Sequence, residues 1–279
     1  MKKIGAITMV RDDEFFLRKW VDYYSDRLGR ENLFVIFDGK DQTVPSFCEG
    51  VNVEIHDRVE GDVARADKGR INLISDRAGE LLTRKGYEMV IGTDVDEFLV
   101  VDPAVGKDLA QFLSDLPERD TWSGLGIDIG QNLEFEGVID PSRLFLEQRR
   151  FGWLSSRYTK ASVITTPVRW GSGFHRVKNR DFKIARDLYL LHFGCVDLER
   201  IRERCDDTDR LANGWSRHLK KRARTISIVT AGTPKPLDSV KNLSRTVQTF
   251  CRQLFSPNKP ATYGWRQVVE LPARFRNLL

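Results

Sequence analysis

Over the first hundred residues, short apolar runs alternate with longer amphipathic ones, and this alternation restricts the chain to an α/β architecture. Ile4 to Val10 reads as a strand. Glu14 to Leu28 follows with Phe16, Leu17, Trp20, Val21, Tyr24 and Leu28 at helical spacing, behind Asp12 and Asp13 as caps. Leu33 to Phe37 is a second strand that stops at Asp38-Gly39, and Val51 to Ile55 a third. A helix from about Asp67 to Arg84 then carries Ile71, Ile74, Ala78, Leu81 and Leu82 on one side, and Gly86 to Gly92 forms a buried strand. Strands joined by helices imply a mixed, mostly parallel sheet with helices on its faces.

Beyond Pro103 the pattern loosens. A short helix is expected near Lys107 to Leu116, a strand near Trp122 to Ile129, and extended segments at Ala161 to Thr165 and Leu188 to Phe193 that close the sheet. Helical spacing resumes near Asp197, a residue suited to an N-cap. These features divide the chain into an α/β domain, 1–197, and a basic helical extension, 198–279. The extension holds 17 lysines and arginines against 7 acidic residues, whereas 1–197 holds 28 against 33. That asymmetry suits either an anionic partner or a solvated arginine-rich face. The last stretch, Trp265 to Leu271 and Phe275 to Leu279, interleaves apolar and basic residues. It fits a peripheral membrane contact and, equally, packing against the first domain.

With 279 residues and 41% hydrophobic content the chain can bury a substantial core. No apolar run approaches the roughly 18 residues of a membrane span, and Arg11 to Glu14 replace the apolar region of a signal peptide. The four cysteines, Cys48, Cys195, Cys205 and Cys251, have no zinc spacing. The expected location is cytoplasmic, with reduced thiols.

The chemistry-bearing segment is Asp94-Val95-Asp96-Glu97, at the end of a buried strand. Carboxylates at i and i+2 of an extended chain point to one side and can share a hard cation, and open parallel sheets bind ligands beyond the carboxyl ends of their strands. A second Asp-x-Asp, Asp207-Thr208-Asp209, follows no apolar strand and reads as solvated surface. Asp128 at the end of its strand and His175 in the glycine-bearing Gly171 to His175 loop are candidate general bases. Trp153, Trp170 and Phe174 suit either stacking on a ligand ring or a core.

Met9-Val10-Arg11-Asp12-Asp13-Glu14 followed by Leu17 and Trp20, then Val35-Ile36-Phe37-Asp38-Gly39, then Asp94 to Leu99, resembles the family 2-like glycosyltransferases related to family 92. The likeness covers the first hundred residues and continues more thinly through Gly173-Phe174-His175 and Leu191-His192-Phe193. Asp38-Gly39-Lys40-Asp41 departs from the family's Asp-Asn-Gly-Ser. The resemblance implies a GT-A fold, a divalent metal (manganese or magnesium) and a nucleotide-sugar donor, with a UDP-sugar favoured. It implies transfer to a glycan or lipid-linked acceptor in cell-surface polysaccharide synthesis.

Carried over position by position, the resemblance has Asp38 accept a hydrogen bond from the nucleobase while Val10 and Arg11 pack along it. Arg70 and Asn72 occupy the helix that faces the donor, where they are equally suited to a solvated face. Asp94 would lie near the ribose or the metal, Asp96 would be the main metal ligand, and Glu97 would stand behind it or pair with an arginine. His192 would be a third metal ligand or a core histidine. Three rival readings are a sugar-phosphate nucleotidyltransferase, a non-catalytic binder of anionic partners through the basic tail, and a metal-dependent phosphohydrolase. The first wants a glycine-rich triphosphate loop after strand one, the second a recognition module, and the third more carboxylate and histidine ligands than the chain offers.

Overall fold

The computed structural model describes residues 1–59, 61, 63–206 and 216–279. Asp207-Thr208-Asp209 lies outside the described residues.

The first strand, β1 (Ile4–Val10), is buried along its whole length. Its side chains alternate between two helical layers: Ala6 and Val10 join the core under α1 (Glu14–Leu28), and Ile7 and Met9 the core under α2 (Val63–Arg84). The Asp13 side chain caps α1 by accepting from the Phe16 amide, and Gly29, at φ 85°, ends the helix in a backbone conformation that favours glycine. The buried face of α1 includes Phe16, Leu17, Trp20, Val21, Tyr23 and Tyr24.

Strands β2 (Leu33–Asp38) and β3 (Asn52–His56) extend the sheet from β1 on one side, and β4 (Met89–Gly92) joins on the other, all parallel. The parallel order β3-β2-β1-β4 therefore places the chain beyond Val10, Asp38 and Gly92 at one edge. This half has the mixed α/β architecture that the alternation predicts, a mostly parallel sheet flanked by helices.

The remainder of the sheet is mixed. Short β8 (Val163–Ile164) runs antiparallel to β4 and links it to β6 (Thr121–Gly130), which pairs with β7 (Phe151–Leu154). The 12-residue β9 (Ile184–Cys195) lies parallel to β6 and antiparallel to β5 (Glu97–Val101). Two helices, α3 (Leu109–Ser114) and α4 (Phe145–Gln148), bridge these strands.

The segment from 198 onward opens with α5 (Leu198–Asp206), where Asp197 Oδ1 accepts from the Glu199 amide as an N-cap does. It continues with α6 (Ser216–Ala231), β10 (Lys235–Pro236), α7 (Leu237–Phe250), the hairpin β11 (Arg252–Gln253) and β12 (Ser256–Pro260), and β13 (Gln267–Glu270). It is thus helical only in part: β13 pairs antiparallel with β7, and β10 parallel with β13, so the segment adds strands to the main sheet.

Its apolar residues Val269, Leu271, Phe275 and Leu279 belong to the principal core, each burial contributing about 1.5–3 kcal/mol relative to exposure. Arg274 meets Asp102 through Nε at 2.6 Å and Nη2 at 2.9 Å, and Lys241 adds a third contact at 3.0 Å. Among the described residues no helix is long and apolar enough to cross a membrane.

Candidate metal centre and its surroundings

Between β4 and β5 the chain does not stay extended. It turns, with the Glu97 amide donating to the Asp94 carbonyl at 3.1 Å. The same-side argument for Asp94 and Asp96 therefore gives way to a different geometry: Asp94 is directed to α2 and Asp96 to β9. The turn is anchored from α1, because a buried polar group needs a partner. Trp20 Nε1 donates to Thr93 Oγ1 at 3.0 Å, Tyr23 Oη donates to the Leu99 carbonyl at 2.7 Å, and Tyr24 Oη accepts from the Leu99 amide at 3.0 Å.

Strand register assembles the centre. His192 of β9 stands opposite Glu97 of β5 and, on its other side, Asp128 of β6. Asp96, Glu97 and His192 are all buried, and one ligand atom from each lies within 4.8 Å of the others. His192 Nε2 is 3.5 Å from Asp96 Oδ2, while its Nδ1 donates to Asp128 Oδ1 at 2.6 Å. Asp128 Oδ2 accepts from Trp153 Nε1 at 3.1 Å and from Thr225 Oγ1 at 2.6 Å. The Tyr158 ring stacks on the imidazole at 3.8 Å. Burial works to lower the His192 pKa, but the carboxylates of Asp96 and Asp128 outweigh it and lift the value to about 9.

A second charge group adjoins the first. Arg70 of α2 binds Asp94 Oδ1 at 2.7 Å and Asp67 Oδ1 at 3.0 Å. The buried Lys160 ammonium lies 3.2 Å from Asp94 Oδ2 and 2.5 Å from Glu97 Oε1. Glu97 thus pairs with a lysine and not with an arginine. Burial raises its pKa against the pull of Lys160, whereas Arg70 and Lys160 overcome burial and hold Asp94 low. Glu97 Oε2 has no hydrogen-bond partner among the described residues.

That orphaned oxygen, beside a carboxylate and an imidazole nitrogen, suits a hard or borderline divalent cation. Gly194 keeps the space open: a Cβ there would lie 2.6 Å from His192 Nε2 and 2.9 Å from Asp96 Oδ2.

Around this group, Val10 is buried at the end of β1. Arg11 donates to the Asp38 carbonyl at 2.7 Å and forms two contacts, 3.0 and 2.7 Å, with the Asp41 carboxylate, so it braces the loop after β2. Asp38 Oδ1 accepts from the Val59 amide at 2.8 Å. Asn72 is half-buried two positions beyond Arg70, about 200° round the helix from it.

His175 Nδ1 donates to the Arg157 carbonyl at 2.9 Å. Burial and then the charges of Lys160, Lys259 and Arg157 hold its pKa well below the ordinary histidine value. Trp170 and Phe174 are fully buried and pack edge to face, so both are core residues. Lys160, Tyr158 and Thr225 carry no motif or spacing in the sequence. The one signal that could have found any of them is the position of Lys160 next to the apolar run that begins at Ala161.

No family model matches this chain, and no curated protein matches it. Among solved structures it is similar to a mannosyltransferase from Pyrobaculum calidifontis in complex with GDP-Man and Mn2+, at 12% identity over 89% of this chain and 81% of that one, with a TM-score of 0.38. A mannose-1-phosphate geranyltransferase from Thermus thermophilus aligns at 12% identity over 96% of this chain and 74% of that one, with a TM-score of 0.29. The mannosyltransferase Ktr4p from S. cerevisiae aligns at 10% identity over 47% of this chain and 40% of that one, with a TM-score of 0.25.

Proposed function

We propose that the protein is a metal-dependent glycosyltransferase of the GT-A type, moving a sugar from a nucleotide-sugar, with a UDP-sugar the expected donor, to a glycan or lipid-linked acceptor. The observation that carries this reading is the buried Asp96, Glu97 and His192 group, next to the carboxyl ends of the parallel strands that bear Asp38 and the Asp94 turn.

Asp96, His192 and Glu97 Oε2 are the atoms that would hold a divalent cation. When bound, manganese or magnesium neutralises the charge that develops on a departing nucleoside diphosphate. A cation taking the place of the Nε2 proton would leave Nδ1 protonated toward Asp128, which would hold the ring with its Nε2 lone pair on the cation. Asp94 is held by Arg70 and Lys160, and this ion-pair cluster borders the space for the diphosphate. Val10, Arg11 and Asp38 form the end for the base.

Of the two base candidates, Asp128 has both oxygens engaged inside the core and serves His192. His175 donates through Nδ1, so its Nε2 is left as an unprotonated acceptor, the form a general base requires.

The test is thermal unfolding of the full chain with UDP, GDP, CDP or ADP, each with manganese, magnesium or EDTA. One nucleotide with metal should raise the melting point by about 5 °C or more at a hundredfold excess over its dissociation constant. Asp96→Ala should fold and lose the shift. Equal melting points under all conditions would overturn the reading.

A further inference from the structure

The apolar residues of the C-terminal tail are spent in the core, yet the same segment exposes others further up the chain. Gln253 pairs with Ser256, so Leu254 and Phe255 form the two-residue tip of a tight hairpin and are forced into solvent. They are 82% and 98% exposed, and Phe250 at the end of α7 and Tyr263 after β12 are 79% and 67% exposed. Arg252 holds the hairpin's base against Asp181, and Tyr263 Oη donates to the Arg252 carbonyl. A pinned tip of this kind is a stable feature of the surface, and two adjacent, almost fully exposed large apolar side chains mark a contact.

The hairpin and the segments flanking it also lean on the loops around the candidate centre. Asn258 Nδ2 donates to the Val177 carbonyl at 2.8 Å, and Arg176 Nη1 lies 3.5 Å from both Ser256 Oγ and Asn258 Oδ1. Ser156 Oγ is 3.4 Å from Thr262 Oγ1, and Thr159 Oγ1 donates to Gln248. The loop with Ser156 and Thr159 is the one that places Tyr158 on His192 and Lys160 on Asp94 and Glu97. Beneath the tip, positive charge is left over. Half-buried Lys259 follows Asn258, which Arg176 reaches, and Arg157 and Lys160 add to the positive field at its ammonium; of these cations Lys160 is the one that ion-pairs with carboxylates of the centre. Cations gathered without acidic partners suit an anionic ligand.

We propose that Leu254 and Phe255 insert into an anionic lipid surface and that Arg157, Arg176 and Lys259 beneath them take the phosphate of a lipid acceptor. The word acceptor rests on the transferase reading above; the surface contact does not. Apolar insertion and attraction of basic residues to anionic headgroups reinforce each other, and the second weakens with salt.

The experiment is flotation of the full chain with vesicles of phosphatidylcholine alone, or with phosphatidylglycerol at roughly one part in three. The protein should float with the mixed vesicles and not with the neutral ones. L254S/F255S should lose about tenfold in binding while keeping its melting point and its nucleotide–metal shift. R157Q/K259Q should lose binding by a similar factor, with a shallower response to salt.

Flotation of either variant at the wild-type level would overturn the proposal, as would absence of the protein from the mixed vesicles. If inorganic phosphate raises the melting point through Lys259 while vesicles do not bind, the cations serve a soluble phosphate and the lipid assignment fails. Vesicle binding without any nucleotide–metal shift would remove the transferase reading and leave the surface contact standing.

Discussion

Asp128 and His192 are cross-strand neighbours in β6 and β9, joined at 2.6 Å between Oδ1 and Nδ1, and the bond determines which imidazole nitrogen faces Asp96. A carboxylate behind a metal-binding histidine fixes the ring and its tautomer. Trp153 and Thr225 bind the other oxygen, so Asp128 is itself held from two sides.

Asp128→Asn should therefore fold and bind manganese about 10–100-fold more weakly than the wild type. Titration calorimetry reads the affinity directly. Unchanged affinity would show that the His192 orientation does not depend on Asp128.

Gly194→Ala removes no ligand atom but puts a methyl group against the ligand atoms of His192 and Asp96. Its Cβ would sit 2.6 Å from His192 Cε1 and Nε2, and the ring cannot retreat because Tyr158 and Asp128 hold it. The variant should lose manganese binding at least as severely as Asp96→Ala while keeping most of its fold, as judged by circular dichroism. Wild-type manganese affinity would place the cation elsewhere.

Lys160→Met should destabilise the protein by about 3–5 kcal/mol, because it strands Glu97 in the core and weakens the hold on Asp94. Adding Glu97→Gln should recover part of that loss by removing the stranded charge. Urea unfolding of the single and double variants measures both effects. A double variant less stable than Lys160→Met alone would sink the explanation.

Arg274→Gln tests the clamp between the tail and β5. Burial pushes the Asp102 pKa up, but Arg274, the Ala104 amide and Lys241 outweigh it and hold it well below the usual carboxylate range. A depressed carboxylate stabilises the fold above its unfolded pKa of about 4, and the contribution disappears as pH falls through the lower folded value. The variant should thus be less stable than the wild type by about 2 kcal/mol at pH 7, and the gap should narrow in strong acid. A gap that stays constant on acidification would assign the effect to packing of the Arg274 stem.

Local periodicity was enough to locate β1, α1, β2 and α2, because the apolar spacing of a strand or helix is written into neighbouring residues. The Asp94 to Glu97 segment was visible for the same reason, lying where a buried run stops. Its conformation was not visible: the turn that parts Asp94 from Asp96 follows from anchors on Trp20, Tyr23 and Tyr24, more than seventy residues away in sequence.

By itself the sequence determined an α/β chain with acidic residues at a strand end and a basic terminal segment. Tertiary structure alone decided that His192 meets both Glu97 and Asp128, that Lys160 is the counter-ion, and that the tail spends its apolar residues on β13 and the core. Strand register couples positions far apart in the chain, and a one-residue slip would turn His192 to the opposite face. Likewise, an interleaved apolar and basic stretch is compatible with a membrane surface or a sheet edge, and only the open edge of β7 settles which one takes it.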